Sequence, residues 1–277
     1  MIRLIATDLD DTLLDADSRL TDRTVRALRR AMDAGAMVTL SSGRMTEAMV
    51  PFAEAIGVNA PMILYNGALI QDHRDGRTYF SHAIPLETAR AVARAVEEMG
   101  IYLQAYPGRG YFCRKRTKYT DLYESSIRVS CGELGEKVSD WMSGDQVKLL
   151  AIAEPGIIDD AQARLRRLFP TGVCFAKSKP RYLEIVREGV DKGRAIEALA
   201  RELGVARGEV MAFGDGQNDA PMIRWAGLGV AVENAVDECR CAAARIAPKN
   251  TADGVAQVVE QMLDAGEIGG AAAGEGR

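Results

Sequence analysis

Ile2-Arg3-Leu4-Ile5-Ala6-Thr7-Asp8-Leu9-Asp10-Asp11-Thr12, residues 2–12, is the stretch on which the fold of this chain turns. Ile2 to Ala6 is a short apolar run of the kind that suits a strand buried on both faces. It leads directly into Asp8-Leu9-Asp10, and period-two geometry puts the two carboxylates on one side with Leu9 facing away. A helix is expected over Asp22 to Ala34, with Thr21 as N-cap, Val25, Leu28, Ala31 and Met32 on one face, and Gly35 as the stop. A second strand, Met37 to Ser41, leads to a helix near Met45 to Ile56 that Pro51 should kink or divide. A third strand, Met62 to Tyr65, ends at Asn66-Gly67, a turn signal.

The same rhythm returns late in the chain. A helix is expected from Lys192 to Leu203, a strand from Val210 to Phe213, a helix near Asp219 to Trp225 and a strand around Leu228 to Val232. Strands alternating with helices at this spacing imply an α/β fold, a doubly wound, Rossmann-like parallel sheet with helices on both faces. Residues 85–186 read differently. They offer a helix, paired strands around Pro107-Gly108-Arg109-Gly110, another strand and helix, and a last strand pair split by Ser178-Lys179-Pro180. This is the pattern of an inserted α+β domain. Residues 1–84 and 187–266 then form the core, and residues 267–277, rich in Gly, Ala and Glu, are expected to be a disordered tail.

Composition limits the partners. The chain has 277 residues, 47% of them hydrophobic, and a formal net charge of −4. No general basic field exists to hold nucleic acid, and no apolar run is long enough to cross a bilayer. The first residues lack the regions of a signal peptide, so a cytoplasmic protein is expected. Five scattered cysteines argue against a disulfide framework and read as small buried hydrophobes. The basic run Arg114-Lys115-Arg116-Thr117-Lys118 reads first as a solvated face. His73 and His82 match no catalytic pattern. Oligomeric state stays open.

Ligands of such a sheet bind beyond the carboxyl ends of its strands, and four motifs fall there. Asp8 and Asp10 together repel unless a cation joins them, and oxygen-only ligands select a hard ion such as Mg2+. Ser41-Ser42-Gly43-Arg44 combines a hydroxyl, a Gly permitting close approach, and helix N-terminal amides, a ready anion site. Lys192 opens a helix, electrostatically the wrong end for a cation, a conflict that a nearby anion would repair. Gly214-Asp215-Gly216-Gln217-Asn218-Asp219 lets Asp215 join Asp8 and Asp10, while Asn218 and Asp219 at a helix start can cap, bind a phosphate or steady metal waters. Each motif alone has a plain rival: acidic residues end strands, Ser caps helices, and lysines are common on surfaces.

Together, in this order and context, the four motifs resemble the haloacid dehalogenase superfamily of phosphatases. The insert, by its length, α+β pattern and place between Ser42 and Lys192, looks like the type IIB cap of the Cof-like group. Asn66-Gly67-Ala68 and Leu183-Glu184-Ile185 also look like segments of that group. The resemblance implies an Mg2+-dependent phosphatase for a small phosphorylated metabolite such as a sugar phosphate. It implies Asp8 as nucleophile and Asp10 as general acid/base, with Ser42 and the Gly43 amide on the phosphate. Lys192 would neutralise the transferred group. Asp8, Asp10 (partly through its carbonyl) and Asp215 would bind metal, with Asn218, Arg44 and Asn66 as substrate contacts. Asp11 departs from the Gly of many relatives. Two other readings are a phosphotransferase or phosphomutase on phosphosugars, and a non-catalytic phosphometabolite-binding module, against which the paired nucleophile and acid speak.

Overall fold

A computed structural model describes residues 1–270 of the chain. Strand β1 (Leu4–Thr7) is buried along its whole length. It is followed by α1 (Asp22–Asp33), β2 (Met37–Leu40) and α2 (Thr46–Ile56). The Thr21 hydroxyl caps α1 by accepting the Thr24 N–H at 3.1 Å. Helix α2 runs undivided through Pro51, so of the expected kink or division the division does not occur. Met49, Ala53 and Ile56 are fully buried on it, and that packing outweighs the loss of one hydrogen bond. Strands β3 (Met62–Leu64), β4 (Leu69–Gln71) and β5 (Thr78–Ser81) then form a small sheet of their own.

The insert comprises α3 (Leu86–Glu98), β6 (Tyr102–Tyr106), β7 (Phe112–Cys113), α4 (Lys118–Ile127) and β8 (Gly132–Glu133). It continues through α5 (Val138–Trp141), β9 (Lys148–Ile152), α6 (Pro155–Leu168), β10 (Val173–Lys179) and β11 (Tyr182–Arg187). The chain finishes with α7 (Lys192–Glu202), β12 (Val210–Gly214), α8 (Ala220–Trp225), β13 (Leu228–Val232), α9 (Asp237–Ala242), β14 (Arg245–Ala247) and α10 (Gly254–Asp264).

The chain divides into two compact units. The first holds residues 1–43, 49–80 and 191 onward, and its main sheet has the order β14-β13-β12-β1-β2. Every pairing in this sheet is parallel. Leu4, Ala6, Val210 and Ala212 pack against Ala195, Ile196, Leu199 and Met222. The alternate residues Ile5, Met211 and Phe213 are also fully buried, so both faces of the sheet are covered. β1 has β12 on one side and β2 on the other, and this reversal of strand order opens a crevice at the strands' carboxyl ends.

The second unit holds residues 81–190 together with 44–48. Its sheet, in the order β10-β11-β9-β6-β7-β8, is antiparallel except for the β7–β8 pair. Leu103, Ala105, Leu149, Ala151, Leu183 and Ile185 pack on Val92, Ala93, Val96, Ile158 and Leu165 of α3 and α6. By alternation the opposite face carries Gln104, Tyr106, Lys148 and Glu184. There the Tyr106 hydroxyl donates to Gln104 (2.7 Å), and Lys148 pairs with Glu184 (2.9 Å). The crossover through α4 is absent from the sequence reading, because two-residue strands and a mostly polar helix carry little periodicity. Part of the basic run serves that helix: the Arg116 guanidinium binds Glu124 (2.7 Å) and Asp121 (2.9 Å).

The expected disorder beyond Gly266 is corrected for residues 267–270. The Ile2 N–H donates to the Glu267 carbonyl (2.7 Å), and the Gly269 N–H donates to the Ile2 carbonyl (3.0 Å). Ile268 is only 5% exposed. A Gly- and Ala-rich composition hid one buried isoleucine that ties the segment down. Residues 271–277, the rest of the expected tail, lie outside the described residues. Ile268→Ala should therefore lower folding stability by roughly 2 kcal/mol or more, read from urea denaturation midpoints. An unchanged midpoint would return the segment to a disordered tail.

Candidate active site

β1 ends at Thr7, and the backbone pairing that carries it onward is the Asp8 N–H donating to the Phe213 carbonyl (3.0 Å). Period-two alternation therefore does not extend to Asp10, as the sequence reading assumed. The chain turns after Leu9, whose carbonyl accepts the N–H groups of Leu13 and Leu14. Asp8 is buried at 6% exposure, Asp10 is half-buried, and Asp11 is exposed. Asp11 has φ +58°, a left-handed conformation. That explains physically why a glycine suits this position. The Asp11 carbonyl accepts from Asn234 (2.7 Å), which holds the turn.

Lys192 opens α7 behind the N-cap Asp191 and is fully buried. Its Nζ donates to Asp8 Oδ1 (2.5 Å), Asp219 Oδ1 (2.5 Å) and the Ser41 carbonyl (3.0 Å). The unfavourable placement of a cation at a helix N-terminus is thus offset by two carboxylates of the chain itself. Burial alone would lower the Lys192 pKa, but Asp219 and Asp8 more than reverse this and raise it.

Asp219 is the residue that sequence reasoning left outside its metal set. Its Oδ2 accepts the N–H groups of Asp215 (3.1 Å) and Gly216 (2.9 Å). A Cβ on Gly214 would lie 2.4 Å from the Asp219 Cβ, so a glycine there is what lets the turn close. Among the described residues, the acidic groups that converge are Asp8, Asp215 and Asp219, with one ligand atom of each within 4.8 Å of the others. The carboxylate of Asp10 is not in that set. Thr12, in the opening motif but given no role by sequence, donates to Asp215 Oδ1 at 2.7 Å and orients it.

Burial, then Asp219, holds Asp8 well above the ordinary carboxylate range, despite Lys192. Burial pushes Asp215 up to about 6. Three carboxylates around one ammonium leave surplus negative charge in a dry place. An all-oxygen donor set of that kind fits a hard divalent cation. Burial, with Asp219, Asp215 and Asp8 nearby, pushes the Cys239 thiol up to about 12, so it stays protonated.

Ser42 and Gly43 follow Ser41, whose carbonyl accepts from Lys192. Ser42 is buried, and its N–H donates to the Ile63 carbonyl (2.9 Å). The Ser41 hydroxyl is buried without a hydrogen-bond partner. Asn218 Nδ2 donates to Asn66 Oδ1 (3.0 Å). Asn66 belongs to a left-handed turn in which Tyr65, Asn66 and Gly67 have φ of +51°, +58° and +102°. For the two non-glycine residues this costs on the order of 1–2 kcal/mol each. Asp8, Asp10, Ser42, Gly43, Asn66, Lys192, Asp215 and Asn218 all belong to the first unit, whereas Arg44 groups with the second.

Comparison with known proteins assigns the family of this parallel sheet with its carboxylate-lysine cluster. The haloacid dehalogenase-like hydrolase family matches residues 5–259, and the chain belongs to that family. It is 27% identical to the 5-amino-6-(5-phospho-D-ribitylamino)uracil phosphatase of Bacillus subtilis, over 94% of this chain and 97% of that one. It is likewise 27% identical to an HMP-PP phosphatase of Yersinia pseudotuberculosis, over 87% of each chain. A haloacid dehalogenase-like hydrolase from Bacteroides thetaiotaomicron superposes with a TM-score of 0.87 at 27% identity, covering 95% of this chain and all of the other. The chain is a phosphoric monoester hydrolase of this family.

The charge cluster makes a stability prediction. Lys192→Met leaves Asp8 and Asp219 buried without their cation and should destabilise the fold by about 3–5 kcal/mol at pH 8 in a chelating buffer. The loss should shrink at pH 5, where carboxylates left without their cation can be relieved by taking up protons. Urea denaturation at the two pH values checks both the size and the sign.

Proposed function

We propose that this enzyme hydrolyses the phosphate monoester of a small metabolite, a sugar phosphate or close relative, through an aspartyl-phosphate on Asp8. The observation that carries the reading is the Asp8–Lys192 contact of 2.5 Å at the carboxyl end of β1. A site meant only to hold phosphate excludes carboxylates, because they repel the anion. This one puts a buried carboxylate at its centre and a lysine against it. That is the arrangement of a nucleophile whose charge must be neutralised as a phosphoryl group arrives.

In this reading the roles are those that the family resemblance implies. Asp8 attacks phosphorus in line. Lys192 offsets the charge on Asp8 and on the equatorial oxygens. The Ser42 hydroxyl and the Gly43 amide bind the phosphate, with Arg44 and Asn218 as further contacts. Asp10, beyond the end of β1 and half-buried, protonates the departing alkoxide. It then takes a proton from the water that attacks the aspartyl-phosphate, releasing inorganic phosphate and restoring Asp8. Asp215, oriented by Thr12, and Asp219, oriented by two backbone amides, hold the acidic end of the site. Mg2+ bound by Asp8 and Asp215, with the Asp10 carbonyl, would supply the second positive charge that the phosphoryl oxygens require. The second unit acts as a cap that selects among esters. The Bacillus relative is named for a phosphorylated ribityl compound, which supports a phosphosugar-like substrate.

Asp8→Asn should reduce phosphate release by at least about 10³-fold while the fold is retained, since Asp219 still pairs with Lys192. The assay is inorganic phosphate release over a panel of sugar, polyol and nucleotide monoesters. Appearance of an isomeric phosphosugar in place of inorganic phosphate would instead identify a phosphomutase.

Asp215 supplies a pH test of the metal site. Its native pKa of about 6 lies above the roughly 3.9 of an unfolded aspartate. The native state thus keeps a proton that the unfolded chain has released. In the metal-free protein this group lowers stability as pH rises from about 4 to about 6. Mg2+ should therefore raise the melting temperature more at pH 7.5 than at pH 5, where protons compete for Asp215. An equal shift at both pH values would remove Asp215 from the metal site.

A further inference from the structure

We propose that Asn66 is a positioning residue. The left-handed turn of Tyr65, Asn66 and Gly67 clamps the phosphate loop, the lysine-bearing helix and the last acidic motif into one register. The inference rests on the phosphatase reading for its kinetic consequence, but its structural basis stands separately. Three consecutive residues with positive φ close a hydrogen bond from the Ala68 N–H to the Tyr65 carbonyl (3.2 Å). Non-glycine residues rarely accept this conformation in succession. It persists only where the surroundings over-determine it, and such strain gathers at functional sites.

Here the surroundings are the catalytic motifs themselves. The Asn66 N–H donates to the Ser42 carbonyl (3.0 Å), while the Ser42 N–H donates to the Ile63 carbonyl (2.9 Å), two residues before the turn. The phosphate-binding serine is thus held on both sides of its backbone by one short segment. The Asn66 amide packs against Gly43, where an added Cβ would meet its Nδ2 and Oδ1 at 3.0 and 3.1 Å. The same Oδ1 accepts from Asn218 (3.0 Å). On the other side, a Cβ on Gly67 would lie 2.5 Å from the Asp191 carbonyl and 3.0 Å from the Ala195 Cβ. The turn is thus seated on the first turn of α7, which carries Lys192. A shift here would move Ser42 relative to Lys192, and misplacement of about 1 Å costs large factors in rate.

Position 66 can be varied so that backbone and amide separate. Asn66→Gly keeps the left-handed backbone and deletes the amide. Asn66→Ala opposes the backbone and deletes the amide. Asn66→Asp tolerates the backbone and keeps an acceptor for Asn218. With the wild type as reference, Asn66→Ala and Asn66→Gly should each lose roughly tenfold or more in kcat. The factor should be the same for every ester in the panel, and KM should change less than about threefold. Asn66→Asp should recover most of the kcat lost in Asn66→Gly. Amide hydrogen exchange should show lost protection at Ser42 and in the first turn of α7 for Asn66→Ala, and retained protection for Asn66→Gly.

A rise in KM that differs among esters, with kcat preserved, would make Asn66 a substrate contact and overturn the proposal. So would wild-type kinetics in all three variants, or unchanged exchange in Asn66→Ala. If the wild type released phosphate from no ester, the functional reading would fail. The exchange measurement would still decide the clamp.

Discussion

A lysine with no exposed surface, placed at the positive end of a helix, is unstable unless anions surround it. Lys192 meets that requirement with Asp8, Asp219 and a backbone carbonyl, and much of the neighbouring geometry follows from the need to bring them together. Asp8 arrives at the end of β1, Asp219 at the start of α8, and Lys192 on the helix after the insert. Three segments far apart in sequence therefore share one charge. The cluster does not close electrically, since Asp215 adds a third carboxylate and burial raises both Asp8 and Asp215. An acidic site left short of positive charge suits a divalent cation.

Around that cluster the fold supplies rigid delivery. The parallel sheet is buried on both faces, and the reversal of strand order at β1 leaves a crevice where side chains from several strands meet. Loops take up what the strands cannot provide. Thr12 fixes Asp215, two backbone amides fix Asp219, and the left-handed turn at Asn66 holds Ser42 and Asn218. Strain at Tyr65 and Asn66 is tolerated because packing against Gly43 and α7 leaves no relaxed alternative.

The second unit obeys different rules, and it was harder to read from sequence for that reason. Its long strands, such as β6 and β9, show clear alternation because one face lies on α3 and α6. The two-residue strands β7 and β8 carry no such signal, and the helix between them offers few apolar positions. Residues 44–48 follow Ser42 and Gly43 in sequence yet group with the second unit. Ile268 shows the same limit: one buried side chain decides order in a segment whose composition reads as disordered.

Buried strands, amphipathic helices and the four acidic, seryl, lysyl and glycine-rich motifs are local patterns, because apolar periodicity and strand-end chemistry are written within a few residues. The fold class, the family and the residues Asp8, Lys192 and Asp215 that the fold brings together could therefore be read before any coordinates. The partners of each group could not. That Lys192 is shared by Asp8 and Asp219, that Asp219 joins the converging carboxylates in place of the Asp10 side chain, and that Thr12 steers Asp215 all depend on separations of tens to hundreds of residues closing to hydrogen-bond distance. Only tertiary packing sets those distances, because the motif that supplies a carboxylate carries no record of which distant side chain will neutralise it.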